Sequence, residues 1–170
     1  MNFDILYNNY DEKTKETYPK IENVKKDIRF GRMLYDSFAG PDSELTTILQ
    51  YINENISDNT SQELKHILLG IAIEEMGHLK IIGELLVALG CIPYYMSSRN
   101  NKWCSDKVKY NFNCIDDMLK YNIEGEKIAI KEYKRLIENT KNECIINILK
   151  RIIKDEENHI KIFTALLTKK

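Results

Sequence analysis

Proline and glycine, the residues that most often interrupt regular structure, are scarce in this chain of 170 residues, which has three prolines and seven glycines. That scarcity argues against a turn-rich β fold and favours long helices. Hydrophobic residues make up 43% of the sequence, which is enough to bury a core. The length therefore predicts one domain covering residues 1–170.

Charge of one sign and long apolar runs are also lacking. The chain has 25 lysine and arginine residues against 26 aspartate and glutamate residues, and so balanced a surface predicts neither nucleic acid nor an anionic membrane as a partner. The longest apolar stretch, about Ile67 to Ile73, ends at Glu74 and is too short for a membrane span. The first residues show no basic start followed by an apolar run, so we expect no secretory signal and a cytoplasmic protein.

The sequence also lacks paired cysteine motifs. The four cysteines form no C-x-x-C pair; they are Cys91, Cys104, Cys114 and Cys144. This pattern excludes a zinc ribbon and a rubredoxin-type iron site. We expect reduced thiols, in keeping with a cytoplasmic protein.

Four amphipathic stretches follow a polar segment of residues 1–26, in which Tyr18-Pro19 predicts an extended arm rather than a helix. The stretches run from about Asp27 to Glu54, Ser61 to Leu89, Ile115 to Asn139 and Asn142 to Leu167. Within the first stretch, Gly40-Pro41 predicts either a kink or the start of a new helix capped near Asp42 or Ser43.

The lengths of the connections predict the topology. Short polar turns at residues 57–60 and 139–141 join the first two and the last two stretches, whereas residues 91–114 form a long connection between the pairs. This order predicts an all-α fold. We expect a four-helix bundle of two antiparallel hairpins joined by a long crossover between helices 2 and 3.

The two halves of the chain repeat one pattern of acids and histidines. A lone glutamate precedes the glutamate of an E-x-x-H motif by 31 residues in the first half and by 30 in the second. The six positions are Glu44, Glu75 and His78, then Glu126, Glu156 and His159. The midpoint of each spacing falls in a short turn, so antiparallel helices bring each lone glutamate level with its own E-x-x-H motif.

Helical phase turns these side chains inward. Glu75 and His78 share a stripe with Ile71 and Ile82, and an i, i+3 pair lies side by side on one helix face. Four carboxylates buried without cations would lose much of their solvation energy, whereas two divalent ions would cancel their charge. The pattern therefore predicts two metal ions bound by the six residues and bridged by carboxylates.

Plainer interpretations stay open at single positions. One E-x-x-H motif on a helix is usually a solvated surface pair, and neighbouring acids offer other registers, namely Glu74, Glu124, Asp155 and Glu157. Glu74 and Asp155, each four residues before a histidine, either are solvated or accept the ring N–H of the histidine on the opposite hairpin.

Tyr51 and Tyr133 each follow a lone glutamate by seven residues, which is two helical turns along the same face. Each phenol either hydrogen-bonds a ligand carboxylate, and so can supply a proton or an electron, or is an ordinary core tyrosine. Beyond the metal ligands, we predict no other catalytic residue.

These motifs resemble those of the ferritin-like superfamily. Residues 43–51 (SELTTILQY), 75–78 (EMGH) and 155–159 (DEENH) are similar to ligand motifs of bacterioferritins. Residues 38–45 (FAGPDSEL) are similar to spore-coat proteins related to manganese catalase. Residues 123–126 (IEGE) resemble the third-helix motif of rubrerythrins and manganese catalases, which favours Glu126 over Glu124 as the ligand.

Departures from these families narrow the resemblance. The four-cysteine rubredoxin domain of rubrerythrin proper is missing, and we expect no fifth helix of the kind that cage-forming ferritins usually add. The second E-x-x-H motif is complete at Glu156. Its completeness favours a rubrerythrin- or bacterioferritin-like di-iron centre over a manganese catalase.

The resemblance implies redox chemistry with hydrogen peroxide or dioxygen at two metal ions, with iron preferred to manganese. We expect a rubrerythrin-like peroxidase, served by an external electron donor, or a catalase-type oxidoreductase, and a homodimer or larger homo-oligomer. One alternative is a non-cage iron-binding protein whose ferroxidase step serves storage or delivery. Another is a structural coat protein with a residual metal site, associated with spores.

Overall fold

The computed structural model describes residues 16–57 and 60–168, and these residues form five α-helices and one short 3-10 helix. The α-helices are α1 (Ile28–Ala39), α2 (Glu44–Ile56), α3 (Gln62–Ala88), α4 (Ile115–Glu138) and α5 (Glu143–Thr168). Helix α2 packs along α3, and α4 packs along α5. The predicted bundle of two hairpins is confirmed. Among residues 16–57 and 60–168, every helix is too short or too polar to span a membrane.

The first predicted stretch divides into two helices at Gly40-Pro41, so the new helix start is the alternative that holds. Helix α1 ends at Ala39, and the N–H of the next residue, Gly40, donates to the carbonyl of Asp36. Helix α2 then begins after Ser43, whose side chain accepts a hydrogen bond from the N–H of Thr46. This break makes Glu44 the first residue of α2.

Two short turns, at residues 57–60 and 139–141, are predicted to join the helices of each hairpin. Asp58 and Asn59 of the first turn lie outside the described residues. The second turn is short, because α4 ends at Glu138 and α5 begins at Glu143. Equal helix lengths on either side of a turn bring residues of the two helices to the same height.

Two apolar clusters fill the bundle, one on each side of a polar layer. The first cluster includes Ile82, Leu85 and Ile152, and the second includes Ile71 and Phe163. Since residues 75–78 and 156–159 lie between these positions along α3 and α5, their side chains meet between the two clusters.

The crossover of residues 91–114 contains the 3-10 helix Ser105–Lys107, and it contacts α2. Trp103 donates its indole N–H to the Oγ1 atom of Thr46 at 2.9 Å. Gln50 accepts from the N–H of Lys109 at 2.8 Å and donates to its carbonyl at 2.9 Å. These contacts hold the crossover against α2.

The chain before the first helix is described for residues 16–27, and these residues contain no helix. Residues 1–15 of the predicted arm lie outside the described part of the chain. The arm ends at Asp27, whose side chain accepts from the N–H of Phe30 and caps α1. All four cysteines lie in described residues, and none is paired with another.

Candidate metal centre

The structure brings the six predicted ligands together in the polar layer. Glu44 lies at the start of α2 and Glu126 in α4, while the two E-x-x-H motifs lie in α3 and α5. Each of the six side chains is at most 4% exposed. Helices from both hairpins therefore contribute to one closed site.

Around His78, three carboxylates face the Nδ1 atom of the ring. The distances from this atom are 2.9 Å to Glu75 Oε2, 3.4 Å to Glu44 Oε2 and 3.3 Å to Glu156 Oε1. One donor atom from each of these four residues lies within 4.8 Å of the others. Such a set can hold one ion with nitrogen and oxygen ligands.

Around His159, a second set has the same form. The distances from His159 Nδ1 are 3.1 Å to Glu75 Oε1, 3.1 Å to Glu156 Oε2 and 3.5 Å to Glu126 Oε1. Glu75 and Glu156 belong to both sets. Each of them turns one oxygen towards one histidine and the other oxygen towards the second, which is the arrangement that a bridging carboxylate needs.

Unsatisfied polar atoms test whether a cation fits. Glu75 Oε1, Glu156 Oε2 and His159 Nδ1 are buried and form no hydrogen bond. Each of the two oxygens lies 3.1 Å from His159 Nδ1 without hydrogen-bonding geometry, although buried polar atoms normally find a partner. A cation among them would satisfy all three, so the residues present fit a metal ion.

Like charges and burial change the protonation of this layer when no metal is bound. Burial raises the pKa of Glu44 well above its ordinary value, and the Glu75 carboxylate raises it further. Burial, Glu75 and Glu156 raise the pKa of Glu126 to about 8. Burial alone would lower the pKa of both imidazoles, but the carboxylates around His78 and His159 raise it well above 6.5. Without metal, these shifts favour the protonated forms of Glu44, Glu126 and both histidines.

The outer nitrogen of each histidine faces an acid from the opposite hairpin. Asp155 Oδ2 lies 3.2 Å from His78 Nε2, and Glu74 Oε2 lies 3.0 Å from His159 Nε2. Of the two interpretations left open for these acids, the buried contact is the one observed. Such partners fix the orientation of a ligand ring.

The two tyrosines placed seven residues after the lone glutamates contact the opposite hairpin. The hydroxyl of Tyr51 donates to Glu126 Oε1, and that of Tyr133 donates to Glu44 Oε1. Both side chains are buried. Each phenol therefore hydrogen-bonds a ligand carboxylate and also belongs to the core.

The remaining alternative acids lie outside the centre. Glu124 is exposed and pairs with Lys127 at 2.6 Å, and Glu157 is exposed on α5. The structure therefore brings Glu126 and Glu156 into the layer and leaves their neighbours on the surface.

Two residues near the centre were not among the predicted site residues. Tyr18 of the arm reaches His78 Nε2 at 2.9 Å, and Arg151 pairs with Asp155 at 2.5 Å. The spacing of Arg151 and Asp155, four residues apart on one helix, is a signal that the sequence offers. Tyr18 gives no such signal, because it lies 137 residues from its partner Asp155.

Comparison with known proteins agrees with this geometry. The family signature of ferritin, described as a ferritin-like domain, matches residues 42–170. A protein named probable manganese catalase from Clostridium acetobutylicum is 21% identical over 88% of this chain and 75% of its own.

Solved structures with the same fold include a manganese catalase from Anabaena and a bacterioferritin from Desulfovibrio desulfuricans. The catalase is 26% identical, with a TM-score of 0.80 over 92% of this chain and 81% of its own. The bacterioferritin is 23% identical, with a TM-score of 0.69 over 82% of this chain and 78% of its own. The second likeness is one of fold alone.

Proposed function

This chain belongs to the ferritin family of ferritin-like domains, and we propose that it is an oxidoreductase that acts on hydrogen peroxide or dioxygen at a pair of iron or manganese ions. The ions would be held by the six buried side chains of the polar layer. Those residues are Glu44, Glu75, His78, Glu126, Glu156 and His159. Metal ions bound there would supply the redox chemistry that cleaves an O–O bond.

The observation that carries this proposal is the shared position of Glu75 and Glu156 between the two histidines. Each carboxylate belongs to both candidate ligand sets, so two ions would lie side by side rather than in separate sites. Four acids and two histidines are the ligands of carboxylate-bridged metal pairs in four-helix bundles. A lone structural ion would not need this duplicated set.

The small cavity beside the centre favours a small substrate. A cavity of about 10 Å³ between α2 and α4 reaches all four ligand carboxylates, and Ser37, Asp42 and Thr47 also line it. A volume of this order holds about one water molecule. Hydrogen peroxide and dioxygen are close to that size, whereas an organic hydroperoxide is larger.

The residues beside the ligands supply proton contacts. Tyr51 donates to Glu126 and Tyr133 donates to Glu44, so each of these carboxylates has a hydroxyl donor.

The likeness to manganese catalases, which have peroxide as their substrate by name, supports peroxide as the substrate here.

Peroxide turnover by the metal-loaded protein tests the proposal. Metal-free protein is loaded with Mn²⁺ or Fe²⁺, and peroxide loss and oxygen release are followed together. Release of oxygen indicates a catalase, while peroxide loss that needs an added reductant indicates a peroxidase. We expect His78→Ala with His159→Ala to abolish turnover, and His66→Ala, an exposed histidine on α3, to leave it unchanged.

Two results would contradict the proposal. A protein that binds two ions per chain but turns over neither peroxide nor dioxygen would favour a structural protein with a residual site. Iron retained far above two ions per chain would favour iron storage or delivery.

A further inference from the structure

We propose that the arm completes one half of the metal centre, with Tyr18 as a positioning residue that holds the His78 ring together with Asp155 and Arg151. This inference rests on the proposed metal centre. It predicts that the two ions bind unequally, because the other histidine has no such support among the described residues.

The hydroxyl of Tyr18 lies where the outer ring nitrogen of His78 can use it. His78 turns Nδ1 towards the ligand carboxylates, so a ring that binds metal through Nδ1 carries its proton on Nε2. Tyr18 Oη lies 2.9 Å from this Nε2 atom and donates its own proton to Asp155 Oδ2. Nε2 also lies 3.2 Å from Asp155 Oδ2. The three groups form a closed hydrogen-bonded triangle.

Arg151 ties this triangle to the arm. Its Nη1 atom lies 2.5 Å from Asp155 Oδ2, and its guanidinium carbon lies 4.4 Å from the centre of the Tyr18 ring. Its Nε and Nη2 atoms donate to the backbone carbonyl of Glu16 at 2.8 and 2.6 Å. One side chain therefore holds the acid, the phenol ring and the arm backbone at once, and a guanidinium is shaped for such multiple contacts.

The two hairpins differ at equivalent positions. Four residues before His159 is Asp155 and eight before it is Arg151, whereas the same steps from His78 lead to Glu74 and Gly70. Glu74 faces His159 Nε2 at 3.0 Å, but among the described residues no arginine or tyrosine contacts its carboxylate. The acid that supports His78 is therefore anchored, whereas within residues 16–57 and 60–168 the acid that supports His159 has no equivalent anchor.

This difference has a consequence for metal binding. A partner on the outer nitrogen orients a ligand histidine and makes it a better donor, and its loss typically weakens metal binding about 10- to 100-fold. Because coupling between sites is reciprocal, metal at the His78 position must also stabilise the docked arm.

The test is a titration of metal-free protein with Mn²⁺ by calorimetry. Tyr18→Phe keeps the ring over Arg151 but removes the hydroxyl, so we expect one of the two affinities to fall about 10-fold and the other to stay unchanged. In a His78→Ala background, Tyr18→Phe should have no further effect on metal binding. Tyr94→Phe, at a tyrosine that is 54% exposed, is the matched control.

A second measurement does not depend on any variant. Hydrogen exchange of residues 16–27 in the wild-type protein should slow several-fold when Mn²⁺ is added. The inference would be overturned if Tyr18→Phe weakened both affinities equally or weakened neither. It would also be overturned if hydrogen exchange of residues 16–27 did not change when Mn²⁺ was added. The wild-type titration distinguishes failure of the proposed metal centre from failure of the proposed role of Tyr18. A wild-type protein that binds no pair of ions would overturn the metal centre itself.

Discussion

Glu54 is a buried carboxylate that lies outside the metal centre, in α2, and is 3% exposed. It accepts hydrogen bonds from Asn122 Nδ2 at 2.7 Å and from Gln50 Nε2 at 2.8 Å. Burial raises the pKa of Glu54 from 4.5 to about 7, although these two neutral donors lower it. Between those two values the folded protein holds a proton on Glu54 that the unfolded chain releases.

The sign of the pH dependence follows from that proton. A carboxyl with a raised pKa contributes its full stability below pH 4.5, and this contribution is lost as the pH rises through 7. Glu54→Gln imitates the protonated group, and Asn122 can turn its amide because its Oδ1 atom forms no hydrogen bond. We expect the variant to gain about 2.5 kcal/mol over the wild type between pH 5 and pH 9.

Denaturant unfolding of both metal-free proteins at the two pH values measures this gain. Both proteins contain the same polar layer, so the difference between their free energies of unfolding does not include the titration of that layer. An equal pH dependence in variant and wild type would contradict the assignment.

Metal binding should release protons from the ligand layer. The pKa values of His78 and His159 lie well above 6.5 without metal, and that of Glu126 is raised to about 8. A metal ligand must lose its proton, so metal affinity should rise with pH from 6 to 9. Calorimetry in buffers of different ionisation enthalpy counts the protons released. An affinity that stays constant over this range would show that the layer binds metal without deprotonation.

At the residue scale, spacing and phase were enough to find the side chains that cluster. Glu75 and His78 share a helix face with Ile71 and Ile82, and Tyr51 follows Glu44 by two helical turns. Tyr18 could not be found in this way, because an arm without helical periodicity gives no register. Its position depends on packing against Arg151, which no local pattern encodes.

The junction between α1 and α2 depends on the absence of a side chain at Gly40. A Cβ atom there would lie 2.4 Å from the carbonyl oxygen of Asp36, whereas one at Gly77 would meet nothing within 4 Å. We expect Gly40→Ala to destabilise the fold by more than about 1 kcal/mol. Gly77→Ala, inside α3, should stabilise it by about 0.5–1 kcal/mol because it restricts the unfolded chain and favours helix.

Denaturant unfolding of the two metal-free variants beside the wild type measures both effects. If Gly40→Ala were as stable as the wild type, the turn into α2 would not depend on close backbone approach. The position of Glu44 at the start of α2 would then need another explanation.

At the element scale, periodicity predicted the helices to within a few residues. The sequence left a kink or a new helix open at Gly40-Pro41, and the choice depends on Ser43 capping the Thr46 N–H. The path of the crossover was beyond prediction, because it depends on contacts such as Trp103 with Thr46. Those residues are far apart in the chain and follow no shared pattern.

The whole molecule has the polar layer between two apolar clusters, and this arrangement makes the stability of the fold depend on metal binding. Only the folded chain assembles the six ligands, so a bound ion stabilises the native state, by about 2.7 kcal/mol at a free concentration 100 times Kd. We expect Mn²⁺ or Fe²⁺ to raise the Tm of the wild type. The increase should be much smaller in His78→Ala and unchanged in His66→Ala.

Thermal unfolding with and without metal measures these shifts. A surface cluster of acids would give the opposite pattern: metal would leave the Tm unchanged, and substitutions of the six residues would have little effect on it.

The predicted homo-oligomer, the external electron donor and the cytoplasmic location are properties of the whole molecule that stay predictions.

Anomalous diffraction from crystals of the Mn²⁺-loaded protein is the most direct test of a paired metal centre. Data collected on both sides of the manganese absorption edge should give two peaks per chain, about 3.5–4 Å apart. One peak should lie against His78 Nδ1 and the other against His159 Nδ1, with Glu75 and Glu156 contacting both. A single peak, or peaks outside the polar layer, would contradict a two-metal centre in this protein.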